Sequence, residues 1–422
     1  MIGVIADDFT GATDVAVAFR SEGARTAIVF GDPSPDVSLP SADVVVVALK
    51  TRTIPPDVAV EQSLRTARLL LADGATQLYF KICSTFDSTS RGNIGPVADA
   101  LVELHGGNLT TVVAPSSPRH GRRQLFGHLF VGAELLSDSP MRHHPLTPMT
   151  DPRVPFLLQQ QTRHRVGLID LPTVMSGSEA VVRALAGARA RGERYVVVDA
   201  VSVNDLDVIG EAVRNAPLMI GAAGLAAGVA RALWRNTPPS LDEADTSATA
   251  ASTATTRGVA IAGSCAARTL EQIEHMKRST PSYRIDALTS GDPSELARRA
   301  LAWFDSLSGT TSALIYTSLP SQQLRTVQNA LGTERASMLL EGALSSVAIG
   351  LADRGVRRLV IAGGETSGAV VEALRIRSAL IGSEAAAGVP WVHSLDERRI
   401  QLLLKSGNFG GIDLLTTATA CA

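Results

Sequence analysis

The chain has 422 residues, too many for one typical hydrophobic core, which points to two domains. Hydrophobic content of 45% with 19% charged residues is ordinary for a soluble globular protein, while a formal net charge of -2 gives no global reason to expect a nucleic-acid or membrane partner. Only 4% of residues are aromatic, so stacking on several bases or sugar rings is not the expected binding strategy, and three scattered cysteines (Cys83, Cys265 and Cys421) without CxxC spacing argue against a disulfide framework or zinc site and for a reducing cytoplasm.

Short β-branched runs alternate with helical stretches from the first residues onward, the pattern of βαβ units on a mainly parallel sheet. Strands are predicted at 2–7 (IGVIAD), 25–30, 43–49, 77–83 and 109–115, nearly continuous in apolar character as strands covered on both faces should be. A helix is predicted over 57–74, closing at Gly74. Further strands follow at 165–170, 194–200 and 217–221. No signal peptide is expected, because the N-terminus lacks a basic region and Asp7 and Asp8 interrupt its first apolar run. The longest apolar stretch, LMIGAAGLAAGVARALW, carries Arg231, is followed by Arg235, and reads as a strand leading into a packed helix rather than a membrane span. The texture then changes: residues 236–258 are rich in Ser, Thr and Ala with no hydrophobic period, an exposed linker and the best domain boundary. A second α/β series begins beyond it, with strands at 258–264, 312–318 and 357–364. The expected division is 1–237, a linker at 238–257, and 258–422.

Ligands in open α/β sheets bind beyond the C-terminal ends of strands, so polar clusters there matter most. The first is IADDFTGATD (5–14): Asp7 and Asp8 end a strand and run into a Thr/Gly-rich helix start, whose unpaired N–H groups suit an anion. Asp8 as a simple N-cap is the bland reading of one carboxylate, but it does not account for two. The second is KICSTFDSTSRGNIG (81–95), which puts Lys81, Asp87, Arg91 and Gly92 in one loop with hydroxyl donors, a set suited to a small oxygen-rich anion; the bland reading pairs Asp87 with Arg91. The third is the basic loop APSSPRHGRR (114–123), read either as solvated surface or as the source of one arginine for that anion.

The fourth is VIAGGETSGAVVEAL (360–374), a strand running into Gly363 and Gly364 and then Glu365, Thr366 and Ser367 at a helix start. Glycines allow close backbone approach and the helix start supplies donors for phosphate. Neither the Walker pattern nor G-x-G-x-x-G follows the first strand of either half, which disfavours a P-loop ATPase or a Rossmann dehydrogenase. LLLKSGNFGG (402–411) and AGSCAA (262–267) add two more glycine loops in the same half. An acid- and cation-bearing N-terminal half joined to a glycine-loop half suits phosphoryl transfer between two ligands in an interdomain cleft.

ADDFTGATD, K-x-C-S-T-F-D-S-T-x-R-G-N-x-G, GGETSGAVV and LKSGNFG, in this order over nearly the whole chain, resemble the four-carbon acid sugar kinase family. The resemblance implies a two-domain α/β kinase, with an N-terminal sugar-acid domain and a C-terminal ATP domain, that phosphorylates the terminal hydroxyl of a four-carbon acid. Within the family the motifs are most similar to those of 3-oxo-tetronate 4-kinases, with D-threonate and D-erythronate kinases as near relatives. By the same resemblance Ser264, Gly363, Gly364, Glu365, Thr366, Ser367, Gly407 and Asn408 contact ATP, accompanied by Mg²⁺, and Asp7, Asp8, Lys81, Asp87, Arg91 and Gly92 line the acid substrate. The catalytic base is Asp8 in the first instance and Asp87 in the second. Strand alternation sets Asp7 on the opposite side, holding the helix start or a metal-bound water; no metal ligand is assigned. A non-catalytic sugar-acid sensor is the reading from another class, and the intact GGETSG and SGNFG loops count against it. The expected enzyme is cytoplasmic, with a small-molecule partner and a homodimeric assembly.

Overall fold

The computed structural model describes residues 1–33, 39–143, 147–235, 257–309 and 311–420. The predicted linker, apart from Arg257, and Cys421 lie outside the described residues. The chain divides into two compact units, Met1–Ser240 and Leu241–Ala422.

The N-terminal unit is built on a parallel sheet of β1 (Ile2–Ala6), β2 (Thr26–Phe30), β3 (Val44–Ala48), β4 (Gln77–Lys81), β5 (Thr111–Ala114), β9 (Arg165–Ile169), β10 (Glu193–Val198) and β11 (Leu218–Gly221). Their spatial order is β2-β3-β1-β4-β11-β5-β10-β9. Each predicted strand of this half is present with ends shifted by a residue or two, mostly inward; β10 instead begins one residue early, at Glu193. A small antiparallel sheet, β6 (Arg122–Leu125), β7 (His128–Val131) and β8 (Glu134–Leu135), was not foreseen. The helix Pro56–Ala72 begins at a proline pair and ends at Asp73, before Gly74 with φ of 96°.

Both faces of the main sheet are covered, which explains its unbroken apolar strands. Leu70 and Ala67 of helix Pro56–Ala72, with Val97 and Leu101 of helix Ile94–Leu104, pack into one buried cluster with Ile5, Val47 and Phe80. Phe19 of helix Phe9–Arg20 meets Tyr79 edge-on at 6.1 Å, and the Tyr79 hydroxyl donates to the Ala222 carbonyl at 2.6 Å. Each such large apolar side chain contributes about 1.5–3 kcal/mol by its burial. The apolar stretch that reads as strand-then-helix forms β11 and helix Ala223–Trp234. That helix crosses helix Val203–Val213 at backbone contact: a Cβ on Gly210 would collide with the Gly228 carbonyl, and one on Gly228 with the Leu206 carbonyl.

In the C-terminal unit β13 (Ser282–Arg284), β14 (Ala313–Tyr316), β12 (Gly258–Ala262), β15 (Arg358–Ala362) and β18 (Gln401–Lys405) lie side by side and parallel. β17 (Val389–Ser394) and β16 (Ser378–Ala386) extend them with antiparallel pairing. Helix Thr333–Asp353 is long and apolar enough to cross a membrane by length and composition, yet it buries Leu344, Val347, Ala348 and Leu351 inside the unit as a core helix.

Candidate functional site

Strand register assembles the N-terminal site. Ala6 of β1 stands opposite Ala48 of β3 on one side and Lys81 of β4 on the other, so the chains leaving all three strands emerge at one level. Asp8 is the N-cap of helix Phe9–Arg20, and its Oδ1 accepts from the Gly11 N–H at 2.9 Å. Lys81 Nζ is buried at the same helix start, 2.9 Å from where a Gly11 Cβ would lie, and donates to the Ile82 carbonyl at 2.8 Å.

The centre of the cluster is Arg52, which the sequence reading missed. It lies on the loop after β3 and grips Asp7 with two bonds, Nε to Oδ2 at 3.0 Å and Nη2 to Oδ1 at 2.8 Å; Nη2 also donates to Asp8 Oδ1 at 2.7 Å. The two carboxylates therefore meet on one guanidinium, and the alternation that would set Asp7 on the opposite side fails because the strand has already ended at Ala6. Burial pushes the Asp7 carboxyl above its usual range against the pull of Arg52. For Arg52 burial acts downward, but Asp7 and Asp8 outweigh it and hold the guanidinium well above its ordinary value. Asn93, which belongs to the same polar loop as Lys81 and Asp87 but was given no role of its own, fixes the loop after β3: its Nδ2 donates to the carbonyls of Thr51 at 2.5 Å, Ile54 at 2.9 Å and Arg52 at 3.3 Å. A lone Arg in LKTRT and a lone Asn in RGNIG carry no spacing signal. Only their position after a strand and before a helix marks them.

Asp87 accepts from Thr85 Oγ1 at 2.9 Å and from the Cys83 thiol at 3.3 Å, not from Arg91. Burial pushes that thiol upward. The preceding Phe86 is buried with φ of 51°, a left-handed bend that turns Asp87 back towards residues 83–85. Arg91 is exposed, and its backbone N–H reaches Thr89 Oγ1 at 3.4 Å. Gly92 packs so closely on Ser88 that a Cβ there would overlap its Oγ, which places it as a turn residue. In the basic loop Arg119 and Arg123 are exposed, and the Arg122 guanidinium donates to the His120 carbonyl. Of the two candidate bases, Asp8 keeps Oδ2 without a protein partner among the described residues, while both Asp87 oxygens are engaged.

The C-terminal unit repeats the logic. Ala362 of β15 is in register with Ala262 of β12 and Lys405 of β18, so Ser264, the Gly363–Ser367 turn and Gly407 emerge side by side. Gly363 has φ of 132°, and a Cβ there would stand 3.0 Å from Thr366 Oγ1 and 3.2 Å from the Ser264 nitrogen. A Cβ on Gly407 would lie 2.5 Å from Ser264 Oγ. Gly364 and Glu365 are exposed in the first turn of helix Gly364–Ala373, Thr366 is buried, and Asn408 is exposed at the tip of its turn. Lys405 is buried beneath the loops and donates from Nζ to Thr269 Oγ1 at 2.9 Å and to the Gly407 carbonyl at 3.2 Å; burial first, then Arg268, pulls its ammonium down to about 8. Gln272 Nε2 clamps the following turn through the carbonyls of Gly411 at 2.7 Å and Phe409 at 3.1 Å.

These loops open on a cavity of about 450 Å³, within the range of small-molecule sites. The helix start, the glycines that admit close approach, and the buried Ser367 hydroxyl, which has no partner among the described residues, together fit a polyphosphate. Among the described residues no group of three or more His, Cys, Asp or Glu side chains could hold a metal ion.

Residues 2–229 match a sugar-binding N-terminal domain and residues 259–415 a nucleotide-binding C-terminal domain. The chain is 43% identical to the 3-oxo-tetronate kinase of Burkholderia multivorans and 44% identical to that of Cupriavidus necator, in each case over 99% of this chain and 96% of the relative. Among solved structures it is similar to that of a Salmonella typhimurium protein described as a putative tRNA synthase, with TM-score 0.89 and 37% identity. A Haemophilus influenzae protein of the DUF1537 family gives TM-score 0.83 and 37% identity; both comparisons cover 99% of this chain and 98% of the other.

Proposed function

The chain belongs to the four-carbon acid sugar kinase family, and from that premise we propose that it transfers the γ-phosphoryl group of ATP to the 4-hydroxyl of 3-oxo-tetronate, giving 3-oxo-tetronate 4-phosphate and ADP. Identity of 43–44% across 99% of the chain with 3-oxo-tetronate kinases carries the choice of substrate.

The acid binds in the N-terminal unit, where Lys81 and Arg52 meet its negative charge at the start of helix Phe9–Arg20. Asp8 takes the O4 proton on its open Oδ2 as O4 attacks the γ-phosphorus and the bond to the β,γ-bridging oxygen breaks, releasing ADP. Arg52, shared with Asp7, orients the Asp8 carboxylate and leaves its Oδ2 facing outward. In the C-terminal unit Ser264, the Gly363–Ser367 turn, and Gly407 with Asn408 hold the ATP phosphates through backbone N–H and hydroxyl groups. Mg²⁺ would enter with ATP, held by the phosphates beside Ser264 and the Gly363–Ser367 turn, and would supply neutralisation of the charge on the transferring group. The free thiols of Cys83 and Cys265 suit a cytoplasmic enzyme.

The test is ADP release with Mg·ATP across 3-oxo-tetronate, D-threonate, L-threonate and D-erythronate. Turnover on the keto acid is expected. Preference for a threonate or for D-erythronate would transfer the chain to that substrate, and ATP binding without turnover on any of the four would favour a binding protein.

A further inference from the structure

The nucleotide cavity has a wall that the glycine loops do not explain. Helix Thr333–Asp353 runs along it, and its residues can be ordered by their distance from the phosphate loops. Leu344 marks the loop end, because its Cδ1 stands 3.1 Å from where a Gly263 Cβ would lie. Glu341 is one turn back, roughly 4.5 Å along the axis at 1.5 Å per residue. Ser337 and Leu340 line the next stretch, with Leu324 and Gln328 of helix Ser321–Leu331 also in the wall.

Glu341 is half-buried, and its Oε1 accepts from Ser337 Oγ at 3.1 Å. Ser337 is its hydrogen-bond partner, and no cation pairs with it among the described residues. The cavity's other carboxylate, Glu365, is exposed beside Gly364 at the loop end. An unpaired carboxylate repels phosphate, so its favourable partner on a nucleotide is a donor. The sugar is the group that follows the phosphates, and its vicinal hydroxyls are donors that an acidic side chain accepts.

We propose, resting on the reading of this unit as the ATP site, that Glu341 reads the ribose: its carboxylate accepts from the 2′- and 3′-hydroxyls and selects ribonucleoside over 2′-deoxyribonucleoside triphosphates. The base then lies against Leu340 and Leu324, with the Gln328 amide beside it.

Calorimetric titration of the full chain with ATP and with dATP, both as Mg²⁺ complexes, tests the assignment without using the sugar acid. The unsubstituted chain is expected to bind ATP about tenfold or more tightly than dATP, as befits a hydrogen bond to a charged acceptor. Glu341→Ala should bring the two Kd values to within about twofold of each other, mainly by weakening ATP. Glu341→Gln keeps the shape and one acceptor, so it guards against a folding defect and should give an intermediate ratio. An undiminished preference for ATP in both variants, or none in the unsubstituted chain, overturns the assignment alone. ATP failing to bind the unsubstituted chain overturns the nucleotide reading, and the assignment with it.

Discussion

Replacing Arg52 by Met strips from Asp7, whose side chain is 6% exposed, and from Asp8, which is 29% exposed, the only guanidinium paired with them among the described residues. Removing one partner of a buried ion pair costs about 3–5 kcal/mol, because the other charge stays buried and uncompensated. The 21% exposure of Arg52 and the wetter Asp8 place this case at the low end, about 3 kcal/mol. At roughly 2.1 cal/mol/K per residue, an N-terminal unit ending at Ser240 has an unfolding entropy of about 0.5 kcal/mol/K, so its Tm should fall by about 6 °C. The pH dependence has a definite sign. Burial already raises the Asp7 carboxyl, and without Arg52 it rises further, so the folded variant holds a proton that the unfolded chain has released. Relative stability of the variant is therefore best below the unfolded carboxylate pKa and is lost as pH rises through the folded value; the Tm deficit widens from pH 5 to pH 8. Scanning calorimetry of the full chain at both pH values reads this. The double variant Asp7→Asn with Arg52→Met, which leaves no buried unpaired charge at residue 7, should recover about half of the loss. A Tm within 1 °C of the unsubstituted chain, or a double variant no more stable than Arg52→Met, would refute the reasoning.

Three further outcomes are expected. Asp8→Asn should lower kcat by about 10²–10⁴-fold with a native circular dichroism spectrum, and undiminished turnover would remove Asp8 as the base. Gly407→Ala puts a methyl 2.5 Å from Ser264 Oγ and 2.7 Å from Ala266 Cβ; ATP affinity measured by titration should drop about tenfold while binding of the sugar acid is unchanged, and equal ATP affinity would show that the loop yields. Lys405, pulled down to about 8 from a usual 10.5, leaves the folded chain with fewer protons than the unfolded one between those values, so this group makes stability rise with pH across that window. Lys405→Met should abolish that rise in a Tm series from pH 7.5 to 10, and parallel curves for the two chains would contradict the buried ammonium.

Asp7, Asp8, Lys81 and the glycine turns could be located from the sequence because each closes or follows a short apolar run, and strand ends are where a parallel sheet binds ligands. Arg52 was not, because its meaning depends on β3 crossing over to lie beside β1, a neighbour relation absent from linear order. Asn93 acts through three carbonyls 39 to 42 residues away, and Glu341 sits in the middle of a long helix whose outward and inward faces are fixed by its packing. The hairpins β6–β8 escaped because their strands are two to four residues long, too short for alternation to register. Asp7 illustrates a different failure: side-chain alternation is a property of strands, and it was applied one residue beyond the end of one.

The backbone contact between helices Val203–Val213 and Ala223–Trp234 has a mechanical consequence. A seam made by Gly210 and Gly228 contains no rotamers to re-sort, so the two helices can neither slide nor roll without separating altogether. β11, which joins them, is thereby anchored at both ends and is a fixed datum beside β4. Amide exchange should accordingly be slowest along β11 and its flanking helices, and a ligand that slows exchange at residues 49–54 should leave the seam untouched.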